Sequence, residues 1–291
     1  MKTNHWITLA LLLGGLELIA QPVRQSGTDV RVEFDYSASS RMTRGSARLG
    51  DFDASSVRVA TMSDVAEFGG WNVGAGLDYQ RLDLNLSGLG PLPETLHGVA
   101  GRLSVGGRLS RRWSVNIDAA PGLYSDLEDV SPDDFNLPAS VRAAYFVHPG
   151  LQLLAGFRID WRNEIPIVGG PGVRWMFAEG WTLNLFLPAP NVTWQATERL
   201  SLSVGGEFAG GSFRVNEGFG TANGDPRLNN SQVSYREVRA SAGLSYRFNP
   251  TSELILGAGV GLDRRATFNE QRLQLVSGAA PFVRLQYRLR F

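Results

Sequence analysis

From residue 28 onward, apolar and polar side chains alternate with a period of two in one segment after another. Val30, Val32, Phe34 and Tyr36 interleave with Arg31, Glu33 and Asp35, and Trp71, Val73, Ala75, Leu77 and Tyr79 with Asn72, Gly74, Gly76, Asp78 and Gln80. The same pattern runs through Val238, Ala240, Ala242, Leu244, Tyr246 and Phe248 against Arg239, Ser241, Gly243, Ser245 and Arg247. A two-residue period places one apolar and one polar face on a β-strand. Many segments run about ten residues, the length of a tilted strand that crosses a bilayer. No long stretch carries the three-to-four spacing of an amphipathic helix.

The connections sharpen this reading. Ser110-Arg111-Arg112, His148-Pro149-Gly150, Ala178-Glu179-Gly180 and Thr197-Glu198-Arg199 are tight turns between apolar residues four positions apart. Between them lie longer polar connections at 39–54, 87–97, 120–138 and 210–232. Short turns at one end and long loops at the other characterise outer-membrane barrels. Strands are expected at 30–38, 55–62, 69–86, 97–109, 112–119, 139–147, 150–161 and 168–177, then at 181–187, 190–197, 199–209, 233–248, 253–263 and 279–291. The fold class is therefore all-β, a transmembrane antiparallel up-and-down β-barrel. It has fourteen strands, or twelve without the short pair around Leu187-Pro188-Ala189-Pro190. Both termini then lie on one side, and residues 21–291 form a single domain.

A secreted β-sandwich also shows short alternating strands. Tryptophans 71, 113, 161, 175, 181 and 194 fall mainly toward strand ends, as an interfacial aromatic girdle requires. Glycine, at 34 of 291 residues, exceeds its average of about 7%, and only 19% of residues are charged. Both features argue against a soluble helical enzyme, and the tryptophans, the Arg, Gly, Ser and Asp character of the polar face and the closing amphipathic strand favour the barrel over the sandwich. Residues 1–20 have the layout of a secretory signal peptide: Lys2, an apolar run from Trp6 to Leu13, then small or polar residues to Ala20. The run is too short to span a membrane as a helix, and Glu17 interrupts its extension. The expected location is the cell outer membrane.

The last strand is the most specific segment. Val283, Leu285, Tyr287, Leu289 and Phe291 form one apolar face that finishes on the terminal carboxylate. This resembles the C-terminal signal of bacterial outer-membrane proteins, with Tyr287, Leu289 and Phe291 as its assembly residues. The resemblance implies the barrel assembly machinery as a partner during insertion, and strand addition is a physical route to such capture. Three further stretches, Leu187-Pro188-Ala189-Pro190, Gly205 to Arg214, and Tyr246-Arg247-Phe248 with the closing strand, resemble an uncharacterised family. Its members are bacterial outer-membrane β-barrel proteins carrying a domain of unknown function. The likeness covers roughly residues 100–291 and implies fold and location, with no catalytic residue.

If the apolar face meets lipid, the alternate residues point inward. The inward arginines are then 31, 58, 102, 108, 142, 158, 174, 239, 247, 284, 288 and 290, and the inward acids Glu33, Asp35, Asp78, Asp118, Asp160 and Glu207. The lumen-lining set is Arg102, Arg108, Arg142, Arg158, Arg174, Arg239, Arg247, Arg284 and Arg288, with Asp78, Asp118 and Glu207. The chain as a whole is neutral, with 28 basic and 28 acidic residues, so nucleic acid is not an expected partner. An arginine-rich interior either fills with ion pairs or forms an aqueous path that favours anions.

No cysteine is present, which excludes thiolate metal sites and a cysteine nucleophile. Beyond the leader the only histidines are His97 and His148, and no serine stands at an informative spacing from either. The acidic stretch Asp126, Glu128, Asp129, Asp133 and Asp134 lacks the spacing of a calcium loop. No enzyme activity, cofactor or metal is expected. The expected function is passage or binding of small polar or anionic solutes through an arginine-lined lumen. The alternative is a non-conducting barrel whose loops contact lipopolysaccharide or other partners, with outer-membrane lipids around it in either case.

Overall fold

A strand whose edges are unpaired cannot rest in hydrocarbon, so alternating strands of this kind must close into a ring. The computed structural model of the chain describes residues 27–291, and the expected leader, residues 1–20, lies outside the described residues. Strands β1 (Thr28–Arg44), β2 (Ala47–Phe68), β3 (Trp71–Leu86) and β4 (Thr95–Arg108) are followed by β5 (Trp113–Ala119) with β6 (Gly122–Ser125), and β7 (Phe135–Asn136) with β8 (Ala139–His148). Then come β9 (Leu151–Ile159), β10 (Ile167–Ala178), β11 (Trp181–Leu185), β12 (Asn191–Gln195), β13 (Leu200–Arg214), β14 (Gln232–Asn249) and β15 (Ser252–Phe268). The chain ends with β16 (Leu273–Ser277) and β17 (Ala280–Arg290). The pairs β5/β6, β7/β8 and β16/β17 each occupy one place in the wall. The result is a closed barrel of 14 antiparallel strands. It closes where β1 pairs with β17, Val32 opposite Tyr287 and Asp35 opposite Arg284.

Each expected strand has its counterpart, but three expected loops are partly wall. Residues 39–54 are a hairpin, not a loop. β1 and β2 continue to a tight turn at Gly45, whose φ of +58° suits glycine. A bulge between Ser37 and Ser40 shifts the phase of β1, so Tyr36 faces out whereas Met42 faces in. That phase change, with the polar composition of the stretch, made it read as a loop. Residues 120–138 contain β6 and β7 after an interruption at Ala120-Pro121, and β13 extends to Arg214 inside the expected 210–232 loop. The rest of that loop holds a one-turn helix at Phe219–Ala222 and a 3-10 turn at Pro226–Leu228.

The end that carries the tight turns also carries residue 28 and Phe291, whose backbones exchange hydrogen bonds of 3.2 and 2.9 Å. Aromatic rings gather toward this end. Trp113 lies 5.0 Å from Tyr145, Trp175 lies 5.7 Å from Phe177, and Trp181 stacks on Trp194 at 5.7 Å. Trp161 lies beyond the opposite end of β9.

Toward the long-loop end the strands exchange their faces. On β3, Leu77 and Tyr79 point outward with Asp78 inward, but farther along Leu82 and Leu84 are buried inside and Arg81 is exposed. The long ends of β1–β4 and β13–β16 thus rise above the outward apolar band as a tower. Met42, Phe52, Leu84, Leu96, Phe213, Val233, Phe268 and Leu275 form its core, joined by Phe219 and Leu228 from the 215–231 loop. No member of this core comes from β7–β12, which stop lower. The tower closes on itself because β6 leans across to run parallel to β13. Arg214 stands opposite Ser125, Asp126 N donates to Arg214 O at 3.1 Å, and the Tyr124 ring meets Phe213.

Truncating a large buried ring in such a core costs about 3–5 kcal/mol. Phe52→Ala and Phe213→Ala should each destabilise the folded barrel by about that amount, measured by urea unfolding in lipid vesicles. A change indistinguishable from zero would mean that these rings are not packed together.

Candidate functional site

Inside the barrel, charged side chains form two arrangements on opposite walls. The first joins strands remote in sequence. Arg284 on β17 donates to Asp35 on β1 at 2.9 Å and, with both terminal nitrogens, to Glu207 on β13 at 2.8 Å. Arg239 on β14 donates to the same Asp35 at 2.8 Å, to Glu207 at 3.3 Å and to Glu237 at 3.0 Å. Glu237 also accepts from Ser37 and from Tyr235, each at 3.2 Å, and faces Arg264 at 3.9 Å. All of these ionised groups are buried, and Arg264 is wholly inaccessible. The guanidinium faces are covered as well: Arg239 lies 4.5 Å from the Phe282 ring centre and Arg264 4.6 Å from that of Phe52. Glycine on β15 makes the room, since a Cβ at Gly261 would lie 2.1 Å from Glu237 Oε1.

The second arrangement follows the wall from β2 to β9. Arg58 on β2 grips Asp78 on β3 through two bonds of 2.9 and 2.5 Å. Arg102 on β4 reaches Asp78 only at 4.0 Å. Asp118 on β5 is bound by Arg142 on β8, and also accepts from Asn116 at 2.6 Å and Ser140 at 3.4 Å. Arg158 on β9 ends the series, and among the described residues it makes no hydrogen bond or ion pair with the protein. It lies opposite Ser140 on β8 and interacts electrostatically with Asp160, two residues along, and then with Arg58 across the interior. This band is accessible: the Arg58 side chain is 41% exposed, that of Arg102 30%, and Arg158 is exposed although all three occupy inward positions. One half of the interior is therefore packed and the other half is open to water.

The remaining sequence candidates lie nearer the tight-turn end. Arg288 is buried and bound to Asp29, which Arg290 also approaches at 3.4 Å. Arg174 is half-buried on β10, while Arg108 and Arg247 occupy the last inward positions of β4 and β14. Tyr287 and Leu289 belong to the outward face of β17, followed by the exposed Phe291. Sequence reasoning missed Asp29, Glu237, Glu253 and Arg264, which also line the interior and narrow the arginine excess. Asp29 and Glu237 stand two positions from Arg31 and Arg239, so simple alternation could have found them. Arg264 was hidden by a bulge opposite Val238 and Arg239.

The two histidines do not approach one another. His97 stacks on Tyr79 on the outer surface, and the His148 ring accepts from Gly150 N in a tight turn. At the summit of the tower a cavity of about 550 Å³ is lined by Arg44, Arg227 and Arg272 among others. Two bonds from Arg227 hold the Asp225 carboxyl there below the usual carboxylate range.

Residues 38–284 match a family described as a domain of unknown function, DUF6268. The chain belongs to this family. No curated protein matches the DUF6268 barrel in sequence. Among solved structures it is similar to the COG4313 outer membrane channel from Pseudomonas putida F1, at 11% identity and a TM-score of 0.50, over 94% of this chain and 97% of that one. It is also similar to the deltaS2S3 mutant of the TodX monoaromatic hydrocarbon channel, at 9% identity and a TM-score of 0.51, over 92% and 91% of the two chains. At such identities these likenesses establish the fold of the DUF6268 barrel alone.

The two halves should respond differently to mutation. Arg239→Met leaves Asp35 and Glu237 short of a buried partner and should cost about 3–5 kcal/mol. Arg158→Met removes no internal bond and should change stability by less than about 0.5 kcal/mol. Thermal unfolding of both variants in one detergent checks the contrast, and equal losses would contradict it.

Proposed function

We propose that the DUF6268 barrel is an outer-membrane conduit for small anionic solutes, which travel along the open half of its interior. The carrying observation is Arg158, an accessible guanidinium that among the described residues has no hydrogen bond or close ion pair, at the end of a band where arginine exceeds acid. Arg31, Arg58, Arg102, Arg142 and Arg158 stand there against Asp78, Asp118, Asp160 and Glu33. Rings of arginine concentrate anions, and water lets the solute exchange hydration for guanidinium contacts. The outward apolar band, the aromatic girdle and the likeness in fold to a solved outer membrane channel support the outer membrane as its location. The hydrocarbon in the TodX name does not transfer, because the accessible wall here is charged.

A second reading, a non-conducting surface barrel, draws support from the packed half and from the apolar core across the tower. Planar-bilayer recording of the purified barrel distinguishes the two. On the conduit reading a salt gradient gives an anion-selective reversal potential that weakens as salt rises, since screening shortens to about 8 Å at physiological ionic strength. Arg102→Glu with Arg158→Glu should move the reversal potential toward cations while the heat-modifiable barrel still forms. A wild-type barrel that gives no current steps supports the second reading.

Orientation and assembly belong to the same proposal. Epitope tags in the 215–231 loop should be labelled on intact cells, and tags at 149–150 should not. Phe291→Asp should lower the amount of folded barrel in outer membranes if β17 is the strand captured by the assembly machinery. Unchanged levels would remove Phe291 from that role.

A further inference from the structure

The tower stands eccentrically. Its core is drawn from β1–β4, the 87–94 loop, β13–β16 and the 215–231 loop, with Tyr124 of β6 packed against it, and these apolar groups leave no wet route along that side. The seam between β6 and β13 therefore rises over the interior as a partition. The open half with Arg58, Arg102 and Arg158 lies on its far side, under the lower rim made by β7–β12. Two loops cover that half. The first, 126–134, leans on the seam, where Asn216 donates to Asp126 at 2.7 Å and Arg214 faces Asp133 at 3.6 Å. The second, 160–166, crosses to the outer face of β13–β15, where Asn163 donates to Ser212 at 2.9 Å and Glu164 N to Ser234 at 3.1 Å. Arg162 binds the Asp133 carbonyl and so ties the loops together.

The contacts that hold these two loops are mainly polar. Of their apolar side chains, Val130, Trp161 and Ile165 are exposed and Leu127 is half-buried, none being fully buried, whereas the tower beside them is closed by buried rings. Segments with little buried apolar surface and surface hydrogen bonds occupy the low-stability end of a fold, from which lids are drawn. We propose that the solute route leaves the barrel off its axis, between the β6–β13 seam and the β7–β12 rim, and that loops 126–134 and 160–166 form a hinged lid over this mouth. The first interior cation beneath the mouth is Arg158, one position before Ile159 at the end of β9, with the buried Asp160 beside it. This inference rests on the conduit reading but can fail separately from it.

The chain has no cysteine, so introduced thiols are unambiguous. Asn163→Cys with Ser212→Cys, bridged by a short bis-methanethiosulfonate reagent, should lose at least five-fold in single-barrel conductance and recover it on reduction. Conductance unchanged by the bridge overturns the lid while leaving the conduit intact. A second measurement does not depend on current. Ser140→Cys places a thiol on the inward face beside Arg158, where a bulky membrane-impermeant maleimide added to intact cells reads its exposure to the outside. Adding Arg162→Ala and Asn163→Ala should speed this labelling several-fold. If wild type gives no current but loosening speeds labelling, the conduit reading fails and the lid stands. Equal labelling rates overturn the lid.

Discussion

Ring closure is the constraint from which the other features follow. Hydrocarbon offers no partner to a bare strand edge, so the first and last strands must meet along their length. In doing so, β1 and β17 bring Asp35 opposite Arg284. Closure also fixes the sidedness of every strand: one set of alternate residues faces lipid, and the other is shut in with whatever charges the sequence supplies. Glycines on the inward faces then set how much space those charges have.

The enclosed charges are handled in two physical regimes. Around Asp35, Glu207 and Glu237 the arginines are dry, with Arg239 and Arg284 each bonded to more than one carboxylate and Arg239 and Arg264 lying over rings, as isolated ions would lose several kcal/mol each on leaving water. Removing one partner there leaves the others exposed to that loss. Along Arg58, Arg102 and Arg158 water supplies the missing solvation, so an arginine can stand without a carboxylate at little cost. Structural pairing and a water-accessible arginine band are thus not rival descriptions of one interior. Each applies to its own wall.

Alternation alone located the strand positions, because a period of two survives wherever one face is apolar and the other polar. It also put Asp78 and Asp118 on the strands flanking Arg102. The tower escaped it for identifiable reasons. The bulge after Ser37 reverses the phase of β1, and on β2 and β3 the apolar residues change sides as the wall leaves the lipid band. Ser, Arg and Gly between 39 and 50 resemble a loop in composition although they are paired on both edges. The parallel meeting of Arg214 with Ser125 joins segments far apart in the chain and leaves no local trace. Nor could the sequence tell dry from wet arginines. That difference depends on how close the opposite wall stands, which is set by the eccentric tower and not by any one strand.

The tower's reversed polarity makes this chain obey the folding rules of two solvents. Below, apolar groups point outward and are satisfied by acyl chains. Above, Phe52, Phe213 and Phe268 are buried as they would be in a cytosolic domain, and the wall presents Arg81, Asp83 and Arg48 to water. Extraction from the bilayer removes the surroundings of the lower zone only. On the proposed orientation, a protease arriving at the cell surface would find strands already paired on both edges on the tall side, and cleavable backbone in the 87–94 and 215–231 connections and in loops 126–134 and 160–166. The same division sets where an engineer can lengthen the chain: insertions in loops 126–134 and 160–166 or at the exposed Gly45 turn displace none of the buried rings, whereas insertions within the paired strands of the tower would.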